Sequence, residues 1–307
     1  MATPVTEPEA IRVRVAGKVN LALRSGRRRP DGYHSLANVF QAVSLFDEVE
    51  ATWAEPGRFT VRVIGEQAAQ VPTGEENLAV RAARLLAAAA ARPSLGADLV
   101  IRKSIPVAGG MAGGSADAAG ALLGCAVLWD LDVSPDELRT LGAQIGSDVP
   151  FCLAGGTALG TGRGDRLAPV LSRGNYHWVL AFSHGELSTP AVFGKFDELG
   201  LGVDRPEAPP EVLNALVSGD VQALGRSLVN DLQPAALALR PQLAQLLEAG
   251  QDLGAVASMI SGSGPTVAFL AANESAAVDL SVKLSGEGVC RAVKRVSGPV
   301  PGARLVV

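Results

Sequence analysis

Pro106-Val107-Ala108-Gly109-Gly110-Met111-Ala112-Gly113-Gly114-Ser115-Ala116-Asp117-Ala118-Ala119 is the stretch whose reading decides the fold. A strand-like run, Ala97 to Arg102, leads into it. A helical run from Ser115 to about Asp130 leads out, with Ala118, Ala119, Leu122, Leu123 and Ala126 on one face at helical spacing. Gly109, Gly110, Gly113 and Gly114 allow positive φ and let a ligand touch the backbone directly. Strand, glycines and helix in that order aim unpaired N–H groups and a helix dipole at one point, which favours an anion. Ser115 either caps the helix or reaches a phosphate-bound metal. A mobile hinge shares the glycine density but not this order. No Gly-Lys-Ser/Thr ends the loop, which excludes a Walker A, and no G-x-G-x-x-G occurs in it, which excludes the dinucleotide fingerprint. What remains is a cradle for a nucleoside triphosphate by another route.

The 307 residues suffice for one large or two ordinary domains. With 48% hydrophobic and only 4% aromatic residues, the composition suits a compact α/β enzyme. A net charge of −4 gives no general attraction to nucleic acid or acidic lipid, and Arg27-Arg28-Arg29 is too short to change that. Cys125, Cys152 and Cys290 are an odd number without metal-type spacing, so no disulfide framework is expected, and Cys125 reads as core. Met1 to Ala10 is acidic and contains proline, unlike a signal peptide. The longest apolar run, Ala116 to Trp129, carries Asp117 and is too short to span a membrane. A soluble cytoplasmic protein is expected.

Ile11 to Val15 alternates as a strand, and if the chain stays extended, Lys18 and Asn20 point to the same side. Arg29 to His34 is a turn carrying Tyr33. Further strands are expected at Ala42 to Thr52 and Phe59 to Ile64, and an amphipathic helix at Glu76 to Leu86 with Asn77 at its entrance. Ser134-Pro-Asp-Glu137 is a capping box with proline at the first helical position, opening a helix to about Ile145. Gly146-Ser-Asp-Val-Pro150 then places Asp148 in a turn. Short strands follow at Thr157 to Leu159 and Arg166 to Val170, and Arg163-Gly-Asp165 between them reads as coincidence with the adhesion tripeptide. A composition change at Leu171 to Asn175 is the expected boundary, giving domains 1–170 and 171–307. Beyond it come a strand at Trp178 to Phe182, helical runs at Glu211 to Val217, Val221 to Val229 and Pro241 to Ala249, and a second glycine loop, Ser261 to Thr266. The strand Val267 to Ala271, a helix from about Glu274 to Ser285 and a strand Val289 to Val296 complete an α+β half. His177 and His184 read as structural.

Lys18-x-Asn20, Asp31-Gly-Tyr-His34, the loop from Pro106, Gly146-Ser-Asp-Val-Pro150 and Ser261-Gly-Ser-Gly264 are each moderate signals. Together, from about Ile11 to Val296, they resemble the galactokinase, homoserine, mevalonate and phosphomevalonate (GHMP) kinase superfamily. The chain has Ala16-Gly17 where proline is expected before the lysine motif, and Ala108, Met111 and Ala112 where Gly, Leu and Gly are common. The resemblance implies an α+β, two-domain fold: an amino-terminal mixed sheet with helices, like domain 2 of ribosomal protein S5, and a ferredoxin-like carboxy-terminal domain. It implies ATP-dependent transfer of phosphate, with Mg²⁺, to the 2-hydroxyl of a small molecule. The Lys-x-Asn, Gly-Tyr-His and Gly-Ser-Asp-Val-Pro elements point to cytidine diphosphate methylerythritol, a substrate of the non-mevalonate isoprenoid pathway. Asp148 would be the general base, with Lys18 beside it. Pro106 to Ala116, Asn77 and Lys103 would hold ATP, and Ser115 would hold the metal. Asn20 would orient the acceptor, and Tyr33, His34 and Phe193 would surround the cytidine. A monomer or weak homodimer is expected. The competing readings are a kinase of a small alcohol such as homoserine or mevalonate, and a nucleotide-binding protein without catalysis.

Overall fold

The computed structural model describes residues 10–306, so the reading of the first residues as unlike a signal peptide lies outside it except at Ala10. The chain begins with two long strands, β1 (Ile11–Arg28) and β2 (His34–Trp53), followed by β3 (Phe59–Gly65), α1 (Leu78–Ala89) and β4 (Ala97–Lys103). Then come α2 (Gly113–Leu128), α3 (Pro135–Ile145), α4 (Val149–Ala154) and the hairpin β5 (Thr157–Gly162), β6 (Arg166–Pro169). The second half contains β7 (Tyr176–Phe182), α5 (Thr189–Glu198), α6 (Pro210–Ser218), α7 (Val221–Ser227), β8 (Val229–Asn230), α8 (Gln233–Leu239) and α9 (Gln242–Asp252). It closes with β9 (Ala257–Ile260), β10 (Thr266–Ala271), α10 (Glu274–Glu287), β11 (Ala292–Gly298) and β12 (Arg304–Leu305).

The first sheet is mixed. Its order is β12-β1-β2-β4-β3, with β5 continuing from β2 and β6 from β5. β3 and β4 are parallel and joined through α1, the crossover that parallel strands require. β1 stays extended well past Val15, as burial on both faces demands, and its pairing with β2 slips at Ala16/Gly17 and again at Asn20/Ala22. Lys18 and Asn20 lie between those two irregularities. Bulges of this kind re-aim side chains at sites.

α2 differs from the expected one-faced helix. It is buried nearly all round, and small residues rather than an apolar stripe let it sit deep. A Cβ at Gly120 would lie 2.6 Å from Val49 Cγ2, so glycine sets its approach to β2. The capping box forms as expected: Ser134 accepts from the Glu137 backbone N–H while the Glu137 carboxylate accepts from Ser134 N.

The second sheet is antiparallel, ordered β11-β7-β10-β9, that is fourth, first, third and second in the sequence of its own strands. This is the ferredoxin-like order. Both of its faces are buried. Trp178, Leu180, Ala268 and Leu270 join the core of the first sheet, whereas Val179, Ala181, Val267 and Phe269 pack with α5, α8, α9 and α10. The two sheets are therefore joined by one continuous apolar layer, and Trp178 Nε1 donates to Gln41 Oε1 at 3.2 Å across it. Residues 171–175 separate the two sheets, yet β8 and β12 return to pair with β1.

Candidate active site

The loop from Pro106 to Ala112 is clamped between β1 and the second glycine loop. Lys18 N donates to the Met111 carbonyl at 3.2 Å, and Ser261 Oγ donates to the Gly110 carbonyl at 3.2 Å. A Cβ on Gly110 would collide with the Ser261 carbonyl oxygen, which accounts for glycine there. Left-handed backbone falls at Ala108 (φ 51°), Gly110 (φ 73°) and Ala112 (φ 63°), not at Gly109, Gly113 or Gly114. Ala112 is the N-cap of α2 and offers no side-chain cap, leaving the first amides of a 16-residue helix free for a ligand. Ser115 lies within the first turn and does not cap the helix, contrary to one of its two expected roles.

Lys18, Asn20 and Asp148 line the same cavity of about 320 Å³ as Ala112 to Ser115. Lys18 is only 5% exposed, and its Nζ donates to Asn20 Oδ1 at 2.6 Å. Burial pulls the Lys18 ammonium below its ordinary pKa, while the charge of Asp148 opposes that shift. Asp148 sits in a turn, as expected, and that turn opens the short helix α4, which was not expected. Gly262 (φ 57°) brings the second glycine loop over the pair, where a Cβ would stand 3.2 Å from Lys18 Nζ.

A larger lobe of about 690 Å³ adjoins this one, sharing Leu36, Ser147, Arg163, Thr189 and Phe193 in its walls. Tyr33, His34 and Phe193 all face it. Tyr33 is 54% exposed, a large aromatic surface left uncovered. Phe193 stacks on the His34 ring, centroids 4.6 Å apart, and is no core aromatic; that place belongs to Phe196. His34 Nε2 bonds Asp197 Oδ1 at 2.7 Å, fixing the imidazole edge.

Two family profiles, GHMP kinases N terminal domain and GHMP kinases C terminal, match residues 77–156 and 212–289. The 4-diphosphocytidyl-2-C-methyl-D-erythritol kinase of Mycolicibacterium smegmatis is 55% identical over 302 residues, 97% of this chain and 92% of that one. The chain belongs to the GHMP kinase family. It is a small-molecule kinase, and membership implies the use of ATP. A crystal structure of 4-(cytidine 5'-diphospho)-2C-methyl-D-erythritol kinase superposes with a TM-score of 0.75 at 31% identity, covering 93% of this chain and 98% of that one. Homoserine kinase from Cytophaga hutchinsonii superposes at 0.78 with 16% identity and full coverage of both chains, a likeness of fold alone.

Not every expected nucleotide contact in this GHMP kinase faces the cavity. Pro106, Ala108, Gly109, Gly110, Gly113 and Gly114 line it. Met111 and Ala116 are buried beneath, and Val107 lines a separate small cleft with Phe182. Asn77 is consumed as the N-cap of α1, accepting from Ala79 N and Val80 N and donating to the Pro72 carbonyl. Lys103 is neither at the cavity wall nor at the surface. Its Nζ sits between Asp47 Oδ2 (2.5 Å) and Asp117 Oδ2 (2.8 Å), fully enclosed under the loop. The sequence hid this triad because its members lie 56 and 14 residues apart.

Other residues of the candidate site were missed. Asn38 is buried in the cavity wall with Oδ1 unpartnered among the described residues, and Thr189 bonds Ser263 at 2.9 Å where α5 meets the second glycine loop. Arg163 was set aside as coincidence and stands at the junction of the two lobes. No motif marks any of them; only the folding of β2, α5 and the β5–β6 hairpin onto the cavity does.

Proposed function

We propose that the protein transfers the terminal phosphate of ATP to the 2-hydroxyl of 4-diphosphocytidyl-2-C-methyl-D-erythritol, in the non-mevalonate route to isoprenoids. One observation carries this reading: the Lys18–Asp148 pair and the helix N-terminus open into a cavity that continues into an aromatic lobe large enough for a nucleobase. A kinase of homoserine or mevalonate has no use for that lobe. The relatives' names support the same substrate.

In this reading the amides of Ala112 to Ser115 bind the phosphates of ATP. Asp148 takes the proton from the attacking hydroxyl, and the Lys18 ammonium steadies both the carboxylate and the developing alkoxide. Asn20, bonded to Lys18, fixes where that ammonium points. A tertiary alcohol is a poor nucleophile, so positioning and charge supply most of the acceleration. For Mg²⁺ the wall offers the Ser115 hydroxyl, a hard oxygen that suits an ion keeping most of its ligands from water and phosphate. Bound there, it would neutralise phosphate charge. Residues 1–170 supply the loop and the catalytic pair, and residues 171–307 close the site with α5 and the second glycine loop. We place the reaction in the cytoplasm, where ATP is.

Asp148→Asn should keep the fold and ATP affinity and lower turnover by roughly 10²- to 10⁴-fold, and Lys18→Met should do likewise. Turnover near wild type in either folded variant contradicts the assignment. A variant that loses ATP binding as well would mean the residue serves the nucleotide instead.

A further inference from the structure

We propose that Arg163 is a substrate-binding residue whose guanidinium takes the diphosphate between nucleobase and acceptor, a role that rests on the nucleotide-substrate reading above. If the base lies against Tyr33 and Phe193 and the hydroxyl at Asp148, the diphosphate must cross the junction of the two lobes. Arg163 is in that junction's wall, lining both lobes. Its guanidinium lies over the Tyr33 ring, 5.2 Å from the centroid, with the side chain 39% exposed. The β5–β6 turn aims it. Gly162 (φ 71°) and Gly164 (φ 94°) reverse the chain, Asp165 Oδ1 accepts from Arg163 N at 3.1 Å, and Asp165 Oδ2 accepts from Nη2 at 3.3 Å. Among the described residues its remaining side-chain bond is a long one, Nη2 to the Ala143 carbonyl at 3.5 Å. Nε and Nη1 are left for a ligand.

The charge of the larger lobe has the right sign. Arg28, Arg81 and Arg163 line it against one carboxylate, Asp197, which His34 already engages. With Nη2 held by Asp165, Nε and Nη1 each keep a charged donor on a separate edge, which suits oxygens of two different phosphates. Arg163-Gly-Asp165 is thus a local device: an arginine, the glycine its turn needs, and the acid that orients it.

The test compares cytidine with cytidine diphosphate, titrated by calorimetry with the phosphate loop kept filled by a non-hydrolysable ATP analogue. Wild type should bind the diphosphate about ten- to hundredfold more tightly, the range for charged hydrogen bonds. In Arg163→Met that ratio should fall to about one while cytidine binding holds, and Arg163→Lys should recover part of it, with thermal melts confirming that both variants fold. An unchanged ratio overturns the proposal. Equal weakening of both ligands also overturns it, because Arg163 would then only prop Tyr33. If wild type binds neither ligand, the nucleobase reading has failed and this inference falls with it.

Discussion

Ala108, Gly110 and Ala112 carry the left-handed turns of the first glycine loop, and only one of them is glycine. An L side chain in that region costs about 1–2 kcal/mol, part of which alanine recovers through a less disordered unfolded chain, about 0.4–1 kcal/mol. Ala112→Gly should therefore stabilise the protein slightly, raising Tm by about 1–3 °C. Gly110→Ala should act oppositely, losing ATP affinity at least about tenfold and lowering Tm, because its Cβ has no room beside Ser261. Scanning calorimetry and nucleotide titration of the two variants check both directions; a stabilising Gly110→Ala contradicts the account. The density of glycine marked the loop in the sequence, but not which positions turn left-handed, because φ depends on where β1 and the Ser261 loop press on the backbone. Gly113 illustrates this. It begins α2 in helical backbone, and what limits it is Ile105 Cγ2 and Lys103 Nζ, each 3.2 Å from a Cβ built there.

At the scale of elements, α2 is tied to β4 and β2 by the Lys103–Asp47–Asp117 triad. Asp47 accepts Lys103 and the backbone N–H groups of Ser104 (2.6 Å) and Ile105 (2.9 Å), whereas Asp117 Oδ1 has no partner among the described residues. Burial pushes the Asp117 carboxyl up to about 8, with Lys103 only partly opposing it, and the two carboxylates raise Lys103 against its own burial. Asp117 then stays protonated in the fold while it ionises in the unfolded chain above its ordinary 3.8. Between those values the unfolded state binds fewer protons, so this group's contribution to stability falls as pH rises toward 8. Asp117→Asn removes the titration. The Tm difference, variant minus wild type, should grow from pH 5.5 to pH 8.5, as thermal melts across that range would read. A constant difference would show that Asp117 titrates normally. The elements themselves were largely legible, down to the capping box at Ser134, because local periodicity and caps decide them. Helices α4, α5 and α8 escaped notice; all three are short, and long-range packing rather than periodicity holds them.

Across the whole molecule, the two-sheet architecture was implied by the family resemblance that the motifs carry, whereas the joining layer was not. β7 and β10 are buried on both faces, so their runs lack the alternation that would have shown one face packing on the first sheet and the other on α5, α8, α9 and α10. With that layer in place, Gly262, Ser263 and Phe193 from the second half of the chain line one cavity with Lys18 and Asp148 from the first. In the reading proposed above, this site phosphorylates a cytidine diphosphate alcohol. Cytosine offers an acceptor at N3 and a donor at its amino group, and uracil reverses both. Backbone groups near His34 arranged for cytosine would face like groups with uracil, at about 1–3 kcal/mol for each contact left unpaired. The direct measurement is kcat/KM for 4-diphosphocytidyl-2-C-methyl-D-erythritol, its uridine analogue, homoserine and mevalonate in one coupled assay of ATP consumption. The account predicts turnover of the cytidine compound, a uridine form poorer by about tenfold or more, and none of either small alcohol. Equal use of the two nucleotides, or turnover of homoserine or mevalonate in place of the cytidine compound, would contradict it.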